Sequence, residues 1–247
     1  AEFLRKMSHD VRTPINGIMG MLDIEEKSWD DPERLKECHE KMKVTAGNLL
    51  QLVNDVLDMN RLETSGLEVE HKPFDIRKVL KDCWIDLESQ AEKMGLELER
   101  VGVSEIECPY VVGSPMHFRQ IFANILSNAV KYNKIQGKIT LRVDMVSRTK
   151  DDVVYRFSVS DTGIGMSEEF QKHIFETFTQ EDTGARTVYR GTGLGMAIAK
   201  KLVDALGGTI TIKSKKNVGS TFILDLPFAI DKDYENTSVQ SEPEMPN

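Results

Sequence analysis

The sequence predicts a long α-helical hairpin followed by an α+β sandwich. Three observations point there. The first sixty or so residues carry apolar side chains at alternating three- and four-residue spacings, the repeat of one helix face. Beyond about residue 76, helical stripes alternate with stretches in which every second residue is apolar, as in half-buried strands. Between the two regimes, "ETSGLEVEHKP" (63–73) breaks the pattern with Gly66 and Pro73, which sets a domain boundary near Ser65.

The first helix has a seam of Leu4, Met7, Val11, Pro14, Ile18 and Met21. Pro14 is its anomaly, because an interior proline removes a hydrogen bond at about 3 kcal/mol. "SWDDPER" (28–34) turns the chain, with Asp31 expected as N-cap and Pro32 at the first helical position. The second helix, read over residues 33–62, has a seam of Leu35, Cys38, Met42, Thr45, Leu49, Leu52, Val56 and Met59. At that length it spans roughly 45 Å. Leu50, Val53 and Leu57 widen its stripe beyond what one partner helix covers. The hairpin (1–65) is therefore expected to dimerise into a four-helix bundle, with its methionines filling gaps in the core.

In the second domain (66–230), residues 76–94, 115–132 and 194–206 read as helices, the last closed by Gly207-Gly208. "KITLRVDMV" (138–146), "VVYRFSVSD" (153–161), "TITIKSKK" (209–216) and "STFILDLPF" (220–228) read as strands. Hairpin-linked strands with helices between them suggest one sheet covered by helices on one face. Residues 231–247 are polar and acidic, the composition of a linker or flexible tail, and no internal repeat is present.

Composition narrows the function. A net charge of −8 over 247 residues argues against nucleic acid as a partner. No stretch is long and apolar enough to span a bilayer, and no signal peptide opens the chain. Cys38, Cys83 and Cys108 follow no metal-ligand spacing and read as free thiols of a reducing compartment. The chain opens without methionine and in mid-helix, so a fragment of a larger protein is expected.

Four clusters carry chemistry. In "KMSHDVRTP" (6–14), His9 lies off the apolar seam beside Asp10, where a neutral imidazole can serve as nucleophile or base. In "FANILSNAVKY", Asn124 and Asn128 share a helix face, with Lys131 and Tyr132 one turn on. Carboxamide oxygens suit Mg²⁺, and a lysine suits phosphate. "DTGIGM" (161–166) ends a strand, so Asp161 can point a carboxylate at an exocyclic amine such as adenine N6. "GTGLGM" (191–196) opens a helix, where backbone N–H groups attract an anion. The polar stretch between the two glycine turns suits a lid, from which Arg186 and Arg190 could reach phosphates. Taken singly, each cluster also fits a solvated polar surface. Neither glycine turn is a dinucleotide fingerprint or a P-loop.

In their order, these motifs resemble the catalytic core of bacterial two-component sensor histidine kinases. "FLRKMSHDVRTPINGI" is similar to the family's H box, "NILSNAVKY" to the N box, "DTGIGM" to G1, "FETF" to the F box and "GTGLGM" to G2. The resemblance runs from residue 3 to about 228, and the style of the H box looks most like hybrid kinases that carry a receiver domain.

The resemblance implies a dimerisation and phosphotransfer hairpin followed by an ATP-binding domain of the Bergerat fold. It makes His9 the phospho-acceptor, Asp10 its orienting neighbour, and Thr13 a residue that helps place water when a response regulator is dephosphorylated. Pro14 then weakens a helix that must bend. Asn124 and Asn128 would hold Mg²⁺ and the ATP phosphates beside Lys131 and Tyr132. Asp161 would read adenine. Gly163, Gly165, Met166, Phe178, Gly191, Gly193, Leu194, Gly195 and Thr221 would shape the pocket and lid. Arg190 departs from the family, where glycine is common. The resemblance further implies a homodimer, a receiver domain as partner, and a place in the cytosolic part of a larger, membrane-bound sensor.

Related ATPases activate water with a glutamate four residues before the metal-binding asparagine. Here that position is Asn124, which favours phosphoryl transfer over hydrolysis. A protein serine kinase of the anti-sigma type would lack the hairpin, and a binding scaffold would not need intact motifs. His39, His71, His117 and His173 are not expected to be catalytic.

Overall fold

The structure, a computed structural model, describes residues 2–64, 69–181 and 192–233. Its internal contacts divide it into a helical hairpin and a sheet unit.

In the hairpin, α1 (Glu2–Lys27) runs through Pro14 without interruption, and α2 spans Pro32–Thr64. The turn is only residues 28–31. Ser28 N–H donates to Glu25 O and Asp31 N–H to Ser28 O. Asp31 caps α2 as expected, its Oδ1 accepting from Arg34 N at 3.1 Å with Pro32 as the first helical residue. The seams face inward: Val11, Pro14, Ile18 and Met21 are half-buried, and Cys38, Leu52, Val56 and Met59 are buried. Ile15, Met19, Leu22, Val44, Leu50, Val53 and Leu57 stay exposed, so a second apolar face remains.

Among the described residues the sheet unit has seven strands. β1 (Lys72–Asp75), β3 (Tyr110–Gly113), β7 (Gly219–Ile230), β5 (Asp152–Asp161), β4 (Lys138–Arg148) and β2 (Glu97–Val101) lie in that order, and β6 (Thr209–Lys215) also pairs with β7. All pairings are antiparallel except β2 with β4. One edge of β7 serves two strands, β6 along Gly219–Asp225 and β3 at Ala229–Ile230. Pro227, which has no N–H to donate, falls between them.

Three helices, α3 (Ile76–Glu92), α4 (Pro115–Lys131) and α6 (Gly195–Ala205), cover one face of this sheet, α4 against β5 and between the other two. Asp75 caps α3 and Ser114 caps α4, each accepting a backbone N–H from its helix's first turn. Gly207, at φ +73°, ends α6. Alternation puts Val153, Tyr155, Phe157 and Val159 of β5, and Phe222, Leu224 and Leu226 of β7, under the helices. There Phe118, Phe122 and Phe157 form an aromatic centre with ring centroids 4.8–5.5 Å apart. The opposite face carries polar partners such as Arg156, which forks onto Asp225 across the strands. The three cysteines are buried free thiols.

β1, β2, β3 and the short α5 (Glu168–Gln171) have no counterpart in the sequence reading. Each is four or five residues long, and the edge strand β2 is mostly exposed, so none develops an alternating pattern.

Candidate active site

α4 supplies the first wall. Its apolar row, Phe118, Ile121, Phe122, Ile125 and Leu126, is anchored on the core and fixes the helix's rotation. Asn124 and Asn128, four residues apart, are held half-buried along the margin of that row. The Asn124 carboxamide lies against the start of α6, where a Cβ on Gly195 would come within 3.4 Å of Oδ1. Its Nδ2 is buried and has no hydrogen-bond partner among the described residues. A buried amide left unpaired costs free energy that a bound acceptor would recover. At the end of α4, Lys131 Nζ sits 4.8 Å from the centroid of the Tyr132 ring, a cation–π contact.

The second wall is the corner after β5. Asp161 is the last strand residue and pairs in register with Ser220. Its Oδ1 accepts from Gly163 N at 2.8 Å and from Ser220 N at 3.3 Å. Its Oδ2 has no hydrogen-bond partner among the described residues. Burial raises the carboxyl's pKa from its ordinary value, while the two backbone donors and, more distantly, Lys134 pull it back.

The two glycines after Asp161 are required by protein backbone. A Cβ on Gly163 would sit 2.2 Å from Tyr132 O, and one on Gly165, at φ +62°, would sit 2.0 Å from Lys215 O. Ile164 N–H donates to Tyr132 O, so the end of α4 and this corner are one assembly. Thr221, one residue beyond Ser220, shares a 2.9 Å hydrogen bond with Ser160 across the strands.

Met166 and Phe178 are half-buried in the segment after that corner. Phe178 has φ +60°, a left-handed conformation that is uncommon for a bulky side chain and stores strain. Gly193 is also left-handed, at φ +69°; Thr192 Oγ1 accepts from Leu194 N, and Leu194 is fully buried just before α6 begins. Arg186, Arg190 and Gly191 lie outside the described residues.

In the hairpin, His9 stands on the backbone of α1, and its side chain lies outside the described ones. Asp10 is half-buried. Thr13 is exposed and stands four residues, one helical turn, beyond His9.

The structure therefore brings Asn124 to Gly195, Tyr132 to Gly163, and Asp161 to the Ser220–Thr221 strand. A surface groove of about 570 Å³, lined by residues that include Arg100, Gly102, Glu105, Met145 and Tyr155, includes none of these. Tyr155 is six residues from Asp161 along β5, roughly 20 Å away.

Several supporting residues escaped the sequence reading. Asn133 and Thr162 latch the loop after α4 to the loop after β5: Thr162 Oγ1 donates to Asn133 Oδ1 and accepts from Lys138 N. Gln171 Nε2 reaches the carbonyls of Met166, Ser167 and Ser214. The Ser214 hydroxyl accepts from Met166 N at 2.9 Å. Pattern does not flag such residues, because a polar side chain on an alternating strand or short helix reads as solvent-facing.

Of the remaining histidines, His39 pairs with Glu25, and His173 is exposed between Glu169 and Glu176. His117 is buried, its Nδ1 2.8 Å from the Ser114 hydroxyl.

Comparison with known proteins matches residues 1–65 to the His Kinase A (phospho-acceptor) domain. Residues 113–230 match the histidine kinase-, DNA gyrase B- and HSP90-like ATPase family. The sensory/regulatory protein RpfC of Xanthomonas campestris pv. campestris is 36% identical over 97% of this chain and 33% of its own length. The signal transduction histidine-protein kinase BarA of Escherichia coli K12 is 36% identical over 90% of this chain and 24% of its own. The chain thus spans a third or less of these two relatives. Among solved structures, full-length ShkA in complex with AMPPNP superposes with a TM-score of 0.67 at 32% identity, over 93% of this chain and 46% of that one.

Proposed function

Because this chain belongs to the histidine kinases and joins their phospho-acceptor and ATPase domains, we propose that it phosphorylates His9 from ATP and passes the phosphoryl group to an aspartate of a receiver domain. The observation that carries this reading is Asp161. A half-buried carboxylate at a strand end, with one oxygen tied to two backbone N–H groups and the other left over, is an acceptor for a purine amine.

In this reading Asp161 Oδ2 accepts from adenine N6, with Thr221 at the edge of the base. The glycines of the 163–165 corner and Gly193, Gly195, Met166 and Leu194 shape the site. Lys131, Tyr132, Phe178, Arg190 and Gly191 serve the phosphates and lid. Asn124 and Asn128 fit Mg²⁺: they offer hard oxygen donors at helical spacing, and the orphaned Asn124 amide suits a phosphate oxygen. Among the described residues no group of three or more His, Cys, Asp or Glu side chains could hold a metal, so the ion would be shared with the nucleotide. Bound there, Mg²⁺ supplies neutralisation of the phosphate charge.

The step itself needs little of the protein. A free lone pair on the neutral His9 ring attacks the γ-phosphorus, the bond to the β-phosphate oxygen breaks, and ADP leaves. Asp10 orients the ring and takes up the proton it sheds. Positioning does most of the work. Asn124, a carboxamide, cannot deprotonate water, which disfavours hydrolysis. Thr13, exposed one turn from His9, would guide water in a separate task, dephosphorylating the regulator.

The exposed apolar face of the hairpin supports a homodimeric four-helix bundle. We assign residues 1–65 to the hairpin, 66–230 to the ATP-binding domain and 231–247 to a linker. The described helices include none long and apolar enough to cross a membrane, and we place the chain in the cytosolic part of a larger sensor.

Incubation with Mg²⁺ and γ-labelled ATP tests the proposal. Acid-labile label is expected on the wild-type protein. It should be absent from His9→Gln and sharply reduced in Asn128→Ala. No label despite ATP binding would leave a phosphatase or scaffold, and no ATP binding would overturn the assignment.

A further inference from the structure

Asp161 can read a base only if its carboxylate is held in one orientation, and the hold on Oδ1 comes partly from the peptide between Gly219 and Ser220. That peptide's N–H, on Ser220, donates to Asp161 Oδ1. Its C=O, on Gly219, accepts from the Ser214 hydroxyl at 3.1 Å. The same hydroxyl accepts from Met166 N at 2.9 Å and lies 2.9 Å from Ser220 Oγ. One hydroxyl has one proton and two lone pairs. Donating to Gly219 O and accepting from Met166 N–H and Ser220 Oγ–H uses all three.

Every group tied to this hydroxyl borders Asp161. Ser214 faces Ser220 in the β6–β7 register, and Ser220 faces Asp161 in the β5–β7 register. Met166 closes the five-residue turn that leaves Asp161. Gly219 has φ +141°, and a Cβ there would sit 2.0 Å from Asp161 O, so the peptide cannot move toward the aspartate without collision. Gln171 pins the carbonyl of Ser214 itself at 3.1 Å. Ser220 is buried, so solvent does not readily replace a lost partner.

We propose that Ser214 is the positioning residue for base recognition: its hydroxyl sets the Gly219–Ser220 peptide that holds Asp161 Oδ1, and so directs Oδ2 at the 6-amino group of the purine. The inference rests on the reading of Asp161 given above. Ser214 touches no part of the nucleotide. Its effect is on discrimination between 6-amino and 6-oxo purines, and on KM for ATP rather than on the transfer step.

Binding of ATP and of inosine triphosphate, which differ at that one group, provides the test on the whole chain. Wild type should prefer ATP, and Asp161→Asn should abolish the preference. Ser214→Ala should weaken ATP about 10-fold, the worth of one well-placed charged hydrogen bond, and inosine triphosphate by less than about 2-fold. Ser214→Thr, which keeps the hydroxyl, should restore the preference. Equal losses for both nucleotides, or no loss, would overturn the role of Ser214 while leaving Asp161 intact. No preference in wild type, or an unchanged one in Asp161→Asn, would overturn the reading of Asp161 and this inference with it. Should Ser214→Ala not fold, Ser214→Cys, of similar volume but with a weak donor, carries the same comparison.

Discussion

The hairpin and the sheet unit bury their apolar residues to different extents. The sheet unit closes a core of its own, with Phe118, Phe122, Phe157, Ile121, Ile125 and Leu141 sealed between one sheet face and three helices. The apolar side chains it leaves exposed, such as Ile85, Met116, Ile135 and Val218, are scattered over separate elements and loops. In the hairpin, Ile15, Met19, Leu22, Ile24, Val44, Leu50, Val53 and Leu57 along the two helices stay exposed after each helix has covered the other's seam. Two layers can close a core, whereas two helices with stripes this wide cannot. A unit that completes its own core can keep one set of atoms at fixed distances, as recognition of a base requires. A unit left open gains definition from a partner, which suits the proposed role of its first helix in presenting His9.

The largest expected effect attacks the closed unit. Phe122 is fully buried, with Phe118 and Phe157 rings at 4.8 and 5.2 Å, so Phe122→Ala should cost about 3–5 kcal/mol. Calorimetry should show the sheet unit melting earlier by the same amount at every protein concentration, with the hairpin still associating. If the loss depends on concentration, the sheet unit does not close its core alone.

The open unit should respond differently. Leu50→Glu puts a charge on the exposed stripe of α2 at a side chain whose burial in a dimer is worth about 1.5–3 kcal/mol per protomer. For the proposed dimer, sedimentation equilibrium should show association weakened by one to two orders of magnitude or more. The melting of the sheet unit should not move. An unchanged association constant would exclude this stripe as the contact.

Smaller again is the helix start. Asp31→Ala removes the acceptor for Arg34 N and should cost the hairpin about 1 kcal/mol, seen as reduced helicity near its melting point, with Asp31→Ser recovering most of it.

How far the sequence discloses these two regions follows from the same contrast. The hairpin is all period, so Asp31, Pro32 and both seams could be placed to within a residue or two. In the sheet unit the long, one-face-buried elements were legible, namely α3, α4, α6 and β4 to β7. The short edges were not, because Pro73 and the exposed Glu97 and Glu99 give β1 and β2 no alternation to read. The site divides likewise. Asn124, Asn128 and Asp161 stood out by spacing or by position at a strand end. The glycines were expected to shape a pocket and lid, and Gly163 and Gly165 are also pressed on by Tyr132 O and Lys215 O. Close approach leaves the same mark in a sequence whichever backbone is approaching. Ser214 and Gln171 left no mark, because their work lies in long-range hydrogen bonds.

The last prediction sets the closed unit against itself. Burial raises the pKa of Asp161 in the folded protein, so the folded state binds this proton more tightly than the unfolded chain does. The sign follows from linkage: the group's contribution to stability is fully present below its unfolded pKa and is lost as pH rises through the raised folded value. At neutral pH the carboxylate therefore weighs slightly against folding, and Asp161→Asn should melt at the same temperature as wild type or a little higher. The same variant should lose ATP, because its amide can turn a donor toward the donor it must accept. Wild-type affinity for ATP should fall on acidification, at a higher pH than protonation of an ordinary aspartate would cause, and Asp161→Asn should show no such fall. A variant that bound ATP normally and melted lower would mean that the carboxylate is there for the fold. Loss of binding without loss of stability would mean that the sheet unit accepts an unfavourable buried charge for recognition, which its closed core is able to hold in place.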